Sequence, residues 1–423
     1  MSGTTALQTS ARGFLARYEG LRERLPGDAG LRAQAAEVFR TSGLPTIRRE
    51  EWKYTNLRPL AETSFYEPLT SLAEGQSLLG RLPLVEAPRL VLLDGRFRDD
   101  LSWLPAGLQI ESFAEQPDFG SLARPEQEPL VALNTMLAED GVTLSVPAGQ
   151  DAGLVQLISL GTETPGRAVA FHPRHIVRLG DGARLVLLEM SVGEGTYLHN
   201  PVMELHIGQG AVLTHVRLQQ EAPEAFHLAT LYATIAERGV YDSFGLHLGG
   251  RLARSEVHAH LAGLHGATHL NAAQLLGGSQ HADFTTEVFH DAACCASRQT
   301  VKNVLMGRSR GVFQGKIQVA RGAQKTDGYQ MNQALLLSPE AEIDSKPQLE
   351  IYADDVKCSH GATVGELDAT QLFYLRSRGV PEAEARGILV RAFLMEALDT
   401  VSDDRARSVL DQAVEGWWER QVA

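Results

Sequence analysis

Glycines recur along the middle of this chain with a long and nearly constant period. Five of them share the spacing: Gly182, Gly210, Gly239, Gly266 and Gly322. The last step is twice the usual one, and the missing position in the series is Cys294. A repeat of roughly 28 residues predicts stacked structural units that cannot bury their apolar faces alone.

A strand-like segment follows each of these positions, as in 182–188 and 210–216. A second set of turn signals lies near the middle of the period: Gly195, Gly250, Gly278, Gly311 and Glu340. Two short strands per period, without helical patterns between them, predict a β-helix. A β-sandwich is the alternative, since turns at intervals of about 12 to 16 residues also suit a sandwich.

Helical spacing dominates the N-terminal part of the chain. Apolar residues recur with a helical period over about 7–42, and Gly43 and Pro45 end that pattern. From about 88 to 170 short strand-like segments alternate with connections that contain proline and glycine. We therefore expect N-terminal helices before the strands begin.

The pattern becomes helical again after Glu366. The stretch 367–378 predicts a helix closed by Gly379, and Pro381 stands where the first turn of the next helix begins. These helices could cap the last β-helix rung or dock a partner. We expect three regions: an N-terminal helical region at 1–87, a β-helix core at 88–365 and a C-terminal helical region at 366–423.

Composition excludes several classes of protein. The 423 residues are 43% hydrophobic, which is enough for a large core. The formal net charge of −13 argues against nucleic-acid binding, because phosphate neutralisation needs a basic surface. We see no secretory signal and no apolar run of the roughly 20 residues that span a bilayer, so we expect a cytoplasmic protein without membrane contact. Three cysteines predict no disulfide framework.

Several catalytic motifs are missing from the sequence. The segment 311–317 is one residue short of the Walker spacing and lacks the hydroxyl residue after lysine, so we expect no nucleotide bound by this chain. His-Glu-x-x-His and Cys-x-x-Cys motifs are also absent. Cys294 and Cys295 are adjacent and would point to opposite faces of a strand, which suits one buried and one surface residue.

Two groups of polar residues offer alternative sites. His258, His260, His265 and His269 lie within twelve residues, and the first two would share a strand face as a metal pair. Exposed or hydrogen-bonded histidines on β-helix rungs are the simpler interpretation. The carboxylates of a β-helix polysaccharide lyase or hydrolase could come from a second group: Asp283, Glu287 and Asp291.

The segment 352–366 holds the most specific pair of residues. If it is extended, Cys358 and His360 share one strand face with Asp354 and Val356. A thiol beside an imidazole can bind a soft metal, act as nucleophile and base, or simply pack. Lys357 and His360 could stabilise the thiolate form. One thiolate and one imidazole do not complete a shell of four ligands, so a metal or cluster would need further ligands from elsewhere.

Two segments of the chain closely resemble the C-terminal signature of the SufB/SufD family of iron–sulfur assembly proteins. They are Lys-Cys-Ser-His-Gly-Ala-Thr-Val-Gly at 357–365 and Gln-Leu-Phe-Tyr-Leu-Arg-Ser-Arg-Gly at 371–379. The stretch Trp-Lys-Tyr-Thr at 52–55 is similar to a segment near the start of that family, although Trp52 and Tyr54 could simply anchor the N-terminal region. The sequence Lys-Cys-Ser-His-Gly favours the SufD branch of the family over the SufB branch.

The resemblance implies a fold and partners. It implies a right-handed parallel β-helix flanked by helical regions, in a complex with a SufB-like paralogue and a SufC-like ABC ATPase. The ATPase would bind the C-terminal helices, at about 368–421, and the isolated chain could form a homodimer. This chain would be a non-catalytic scaffold subunit.

The resemblance also implies roles for two residues. A transient iron–sulfur cluster would form at the interface between the SufB-like and SufD-like subunits. His360 would be a cluster or iron ligand, and Cys358 an interface thiol close to the cluster. A structural adaptor without a ligand of its own is the competing hypothesis.

Overall fold

The N-terminal part of the chain packs as helices around a few short strands. The computed structural model describes residues 2–422, and the side chains of 10–421. The first elements are α1 (Ser2–Leu21), α2 (Ala29–Ser42), α3 (Arg58–Ala61), β1 (Phe65–Tyr66), α4 (Leu72–Leu79), β2 (Arg89–Leu93), β3 (Arg96–Phe97), β4 (Gln109–Ser112) and α5 (Pro129–Leu137). Short 3₁₀ helices occupy Glu50–Trp52 and Asp99–Leu101.

The first two helices confirm the predicted helical pattern, and Gly43, with a φ of 61°, ends α2. The sequence pattern did not indicate α5. Every residue of α5 is buried, so no side of this helix faces solvent and the segment lacks a helical alternation of polar and apolar residues.

Strands fill the chain from Gly141 to Gly365. In chain order they are β5 (Gly141–Val146), β6 (Asp151–Gly161), β7 (Ala168–Phe171), β8 (Arg174–Leu179), β9 (Arg184–Gly193), β10 (Tyr197–His199), β11 (Val202–Ile207), β12 (Val212–Gln220), β13 (Phe226–Ile235), β14 (Val240–His247), β15 (Leu252–Leu261), β16 (Ala267–Leu276), β17 (His281–His290), β18 (Ala296–Leu305), β19 (Arg310–Val319), β20 (Asp327–Leu336), β21 (Glu342–Ile351) and β22 (Lys357–Gly365).

From β11 onward, successive strands alternate between two sheets. One sheet, which we call sheet A, has the order β21-β19-β17-β15-β13-β11-β8-β5-β4, and sheet B has the order β22-β20-β18-β16-β14-β12-β9-β6-β2-β3. Neighbours along both paths are parallel except at the β4–β5 and β2–β3 pairs. The result is a parallel β-solenoid of about eight turns with helices at both ends, as predicted. The parallel pairing excludes the β-sandwich, which is built from antiparallel sheets.

The strand register gives the repeat its length. In sheet B, Arg184 pairs with Val212, and Val212 pairs with Val240, so one turn of the solenoid takes as many residues as the step from Gly182 to Gly210. Six of the turns pass from sheet A to sheet B through a residue in the left-handed conformation, with φ between 54° and 67°: Gly182, Gly210, Arg238, His265, Cys294 and Lys325. Cys294 therefore continues the glycine series where the period predicts it.

Some predicted markers are displaced from these turns. Gly239 and Gly266 each follow the left-handed residue by one position, and Gly322 precedes Lys325 by three. In the second series Gly311 lies inside β19, and the turn glycine there is Gly307, with a φ of 64°. The period was right although individual positions were wrong, because non-glycine residues occupy several left-handed turns.

The interior of the solenoid is an apolar core of inward-facing leucine, valine and alanine side chains. The outer face of sheet A packs against the N-terminal helices through residues such as Phe39 and Phe226. The outer face of sheet B packs against two C-terminal helices, α7 (Glu382–Leu398) and α8 (Asp404–Val422), through residues such as Leu394 and Trp417. Between β22 and α7 lies α6 (Ala369–Ser377).

The C-terminal helices do not cap the last rung of the solenoid. Because α7 and α8 cover the outer face of sheet B, the outer edges of β21 and β22 are unpaired within residues 2–422. The capping role expected for these helices is therefore wrong. Apolar side chains are exposed at this end of the molecule: Ile351, Tyr352, Val364, Phe373 and Tyr374. In the described part of the chain, the helices are too short or too polar to traverse a bilayer.

Candidate functional site at the end of the solenoid

Strand β22 carries the two residues that the sequence singled out. Alternation along the strand places Cys358 and His360 on the same face, as predicted, with Lys357 and Ser359 on the other. Cys358 is half-buried and packs against the apolar interior, whereas His360 is exposed. This inward face of the last rung has no further rung above it within the described residues, so His360 stands at the open end of the solenoid.

The thiol of Cys358 is held in its protonated form. Burial raises the pKa of Cys358, and a contact with the backbone N–H of Gly328 only partly opposes that effect. Gly328 is the register partner of Cys358, and a side chain there would lie 3.4 Å from Cys358 Sγ. The expectation that Lys357 and His360 lower this pKa is therefore wrong for the chain alone, since the thiol points into the core and Lys357 points away from it.

A polar layer lies under His360. Its register partner on β20 is Gln330, which is fully buried and whose amide atoms have no hydrogen-bond partner among the described residues. One rung further in, Gln299 accepts a hydrogen bond of 2.6 Å from the hydroxyl of Thr286. Polar groups therefore lie inside the end of the solenoid, directly beneath His360.

The segment 52–55 anchors the N-terminal region, as its simpler interpretation predicted. Trp52 is buried, and the guanidinium of Arg254 lies 4.1 Å from the centre of its ring. The hydroxyl of Thr55 donates a hydrogen bond of 2.5 Å to Asp283 Oδ2, and Asp283 also pairs with Arg254. The motif thus joins the N-terminal region to strands β15 and β17.

Three of the four histidines at 258–269 contact carboxylates and the fourth, His265, is exposed, in line with their simpler interpretation. His260 Nδ1 lies 2.9 Å from Asp291, and His269 Nδ1 lies 3.6 Å from Asp242. His265 occupies a left-handed turn. His258 does not join His260 at a common metal site, because its ring is surrounded by carboxylates instead.

His258 has carboxylates on both sides of its ring. Its Nε2 lies 3.3 Å from Glu256 and 3.7 Å from Glu128, and its Nδ1 lies 3.5 Å from Glu287. Burial alone would lower the pKa of His258, but the contacts with Glu256 and Glu287 raise it to about 10. Burial raises the pKa of Glu128 to about 7. Since Asp283 and Glu287 are each matched to a cation on a neighbouring strand, they do not form the carboxylate group of a polysaccharide-cleaving site.

Three ionisable residues inside the solenoid escaped sequence analysis. His199, Glu221 and His227 are all buried, and their donor atoms lie within 4.8 Å of one another. The sequence did contain a signal for the two histidines, because the interval between His199 and His227 equals one turn of the solenoid. Without the register, that spacing could not be distinguished from chance.

Cys294 and Cys295 do not lie on a strand, contrary to the expected geometry. They occupy the turn before β18, where Cys294 has a φ of 60°. Cys295 is buried and Cys294 is half-buried, so the expected division into a core residue and a more exposed one holds. All three cysteines are free.

Comparison with known proteins identifies the family to which this architecture belongs. Residues 162–393 match the family described as SUF system FeS cluster assembly, SufBD core domain, and residues 28–154 match the SufBD protein N-terminal region. The iron–sulfur cluster assembly protein SufD of Escherichia coli K12 is 34% identical over 372 residues, which are 87% of this chain and 88% of the relative. The chain belongs to the SufBD family.

Other SufBD relatives cover the chain as fully. An iron–sulfur cluster assembly SufBD family protein of Synechocystis is 30% identical over 399 residues, with 88% of this chain and 86% of the relative aligned. The chloroplastic protein ABCI7 of Arabidopsis thaliana is 29% identical over 405 residues, with 90% and 84% aligned. The resemblance noted at 357–365 is thereby confirmed as a SufD-like relationship to proteins of iron–sulfur cluster assembly.

The two SufBD matches divide the features described above. The N-terminal match contains the anchoring segment 52–55, and the core match contains the solenoid from its first complete turns to β22, with Cys358 and His360. The core match ends at residue 393, within α7, so α8 lies beyond it.

Proposed function

We propose that this SufD-like chain is a non-catalytic scaffold subunit for iron–sulfur cluster assembly. It acts in a complex with a SufB-like paralogue and a SufC-like ABC ATPase, and a nascent cluster forms where the SufB-like subunit meets the end of the solenoid. The observation that carries this proposal is the position of Cys358 and His360 on the open last rung, next to two unpaired strand edges.

The strand edges supply the interface. The N–H of Lys357 donates to Thr326, just before β20, so odd-numbered residues of β22 pair inward and even-numbered residues present their N–H and C=O groups outward. An edge of this kind takes up a strand from another chain through main-chain hydrogen bonds. A second solenoid that ends in parallel strands would continue both sheets. When the isolated chain has no such partner, two copies pair through the same edges as a homodimer.

The partner completes the ligand set. Cys358 and His360 supply one sulfur and one nitrogen, fewer than the four ligands of a typical cluster. His360 is exposed and meets incoming iron first. Cys358 is half-buried with a raised pKa, so iron or the partner must displace the thiol proton before sulfur can bind. Because both residues lie at the edge, a ligand from the second subunit can reach the same ion.

The C-terminal helices supply the contact with the ATPase. In α6 no residue is buried, and Phe373 and Tyr374 are exposed by 73% and 56%. Aromatic side chains of this exposure are typical of protein interfaces. Since α7 and α8 pack on sheet B, a movement of the docked ATPase is transmitted to the solenoid. We assign ATP hydrolysis to that partner and no nucleotide to this chain.

A purely structural adaptor is the second candidate. The observation that favours it is the packing of Cys358 against the core, which gives the thiol a structural role without any ligand. In that case His360 would be an exposed side chain of the interface, and all cluster ligands would come from the SufB-like subunit.

The deciding experiment is anaerobic co-purification of this chain with its SufB-like and SufC-like partners, followed by iron and sulfide analysis. The variant is His360→Ala, and the matched control is His269→Ala, which removes a part-exposed histidine from another rung of sheet B. Subunit stoichiometry is measured on the same samples.

The scaffold proposal expects His360→Ala to lose most of its iron and sulfide with the subunit ratio unchanged, while His269→Ala retains both. Unchanged cluster content in His360→Ala would support the adaptor instead. Failure of the three chains to co-purify would reject the complex itself. Catalytic turnover of an acidic polysaccharide by the isolated chain would reject both candidates.

A further inference from the structure

Strand register brings two histidines together inside the solenoid. In the β10–β13 pair, Leu198 is opposite Phe226 and His199 is opposite His227. Phe226 packs outward against the N-terminal helices, so alternation turns His199 and His227 inward. Their ring centres lie 5.1 Å apart, and Phe171 covers the other side of His199 at 4.9 Å.

A carboxylate from the next turn enters between these rings. Glu221 follows β12, and its Oε1 lies 3.0 Å from His199 Nδ1 while its Oε2 lies 2.7 Å from His227 Nδ1. The side chains of the three residues are only 1% to 5% exposed. Gly249 fixes this position, because any side chain there would collide with the backbone of Glu221.

The hydrogen bonds of this group are incomplete. Among the described residues, His199 Nε2 has no partner, and His227 Nδ1 lies near Glu221 without hydrogen-bond geometry. The hydroxyl of Tyr197 is buried beside them and also lacks a hydrogen-bond partner. Buried polar atoms are normally paired, so these unpaired atoms leave hydrogen-bonding or ligand capacity unused next to Glu221.

The chemistry of the group suits a cation. Two imidazole rings and one carboxylate face one another in a buried space, with their ligand atoms within 4.8 Å of one another. Imidazole nitrogens and carboxylate oxygens bind metal ions in their deprotonated forms.

We propose that His199, Glu221 and His227 bind a divalent first-row transition metal ion inside the solenoid. Two imidazole nitrogens and one carboxylate oxygen suit ions such as Fe²⁺ and Zn²⁺, and this set leaves coordination positions open for water or a further ligand. A hard ion such as Mg²⁺ or Ca²⁺ prefers an all-oxygen shell. The geometry of the interior carries this site, which does not depend on Cys358, His360 or the proposed scaffold function.

The site lies beside an open cleft. Glu221, although its side chain is buried, lines this cleft of about 760 Å³ between the solenoid and the end of α8, where Trp417, Arg420 and Gln421 form the opposite wall. We therefore place the entry route of the ion at this cleft. The other carboxylate-rich group, around His258, contains a single imidazole and so differs from this site in a measurable way.

The test uses Co²⁺ as the probe, added anaerobically at one equivalent to the full-length wild-type chain. X-ray absorption at the cobalt edge counts the ligands, and a shell with two imidazoles and no sulfur is expected. A sulfur ligand would place the ion at Cys358 and overturn the proposal. A single imidazole would place it at His258 and also overturn it. No binding would have the same consequence.

A matched pair of variants gives a second, independent readout. His227→Gln is expected to weaken Co²⁺ binding at least about 100-fold, whereas His290→Gln leaves it unchanged; binding is followed by absorption titration. His290 is a suitable control because it is buried, lies in a later rung and shares a hydrogen bond with Ser297. Equal binding by the two variants would overturn the site. If His227→Gln fails to fold, the wild-type absorption spectrum still decides.

Discussion

The middle rungs and the last rung of the solenoid share the same parallel strand pairing but have opposite surroundings. In the middle, helices cover both sheets, and ionisable groups such as Arg254 and Asp283 are buried and paired with one another. At the end, β21 and β22 have open edges, and the ionisable groups there are largely exposed. A residue on the inward face is therefore buried in one region and accessible in the other.

This difference separates residues that hold the fold from residues that can exchange ligands. A buried charge must be matched by the same chain, because an unmatched one costs several kcal/mol. An inward-facing residue on the last rung has no such requirement, since solvent or a second protein can complete its contacts. His227 on sheet A and His360 on sheet B both face the interior, but His227 is buried whereas His360 lies at the open end of the solenoid.

The largest expected effect is the removal of a buried charge in the middle. We expect Asp283→Ala to lower the free energy of unfolding by about 3–5 kcal/mol, because buried Arg254 keeps only Glu256 as a carboxylate partner and Thr55 loses its hydrogen-bond acceptor. Asp344→Ala is the control in the last rung, where the partly exposed pair with Arg310 contributes less than about 1 kcal/mol. Urea unfolding followed by tryptophan fluorescence measures both. Equal effects would remove the distinction between the two regions.

The second prediction concerns the pH dependence of the middle region. His258 faces Glu256 on β15, Glu287 on β17, Glu128 before α5 and Tyr232 on β13, and its pKa is raised to about 10. Because the folded value lies above the unfolded value of about 6.5, the stabilisation is complete below about pH 6.5 and is lost as the pH rises through about 10.

We therefore expect wild type to lose of the order of 3 kcal/mol more stability between pH 6 and pH 10 than His258→Gln does. Urea midpoints at the two pH values measure this difference, which includes the linked titration of Glu128 beside His258. His269→Gln, which removes a part-exposed histidine, should behave as wild type. If His258→Gln lost as much stability as wild type between pH 6 and pH 10, His258 would not be the group responsible.

The two regions also differ in how much of their structure can be predicted from the sequence. The solenoid was predictable because its turns have similar lengths, so residues at equivalent positions of successive turns recur in the sequence with a constant period. Its turn positions were less predictable, since Arg238, His265 and Cys294 adopt a left-handed conformation that glycine usually marks. The helix α5 was missed because burial on all sides removes the polar face that reveals a helix.

The candidate sites follow the same rule. Cys358 and His360 are two positions apart, so their common face could be read directly from the sequence. Their role as cluster ligands stays a prediction. His199, Glu221 and His227 come together only through the register of β10 and β13, and Glu128 reaches His258 from a segment that precedes the whole solenoid. Contacts of this kind need the three-dimensional structure.

A third prediction tests the open edge itself. Since even-numbered residues of β22 present their N–H groups outward, Ala362→Pro removes an outward donor and leaves the ladder to β20 intact. We expect at least tenfold weaker binding to the SufB-like partner, or about 1.4 kcal/mol, with little change in stability. Thr363→Pro is the control, because it removes an inward hydrogen bond and should destabilise the chain. Unchanged partner affinity in Ala362→Pro would place the interface elsewhere.

The smallest expected effect is the most informative about the last rung. The His360 side chain is exposed and makes no hydrogen bond to the described residues, so His360→Ala should change the free energy of unfolding by less than about 0.5 kcal/mol. His227→Ala, at a buried inward-facing position of sheet A, should cost several times more because it leaves Glu221 with one fewer neighbour. Urea unfolding of the two variants measures the contrast. A large loss of stability in His360→Ala would mean that this histidine supports the fold, and any loss of cluster in that variant would then follow from misfolding rather than from a missing ligand.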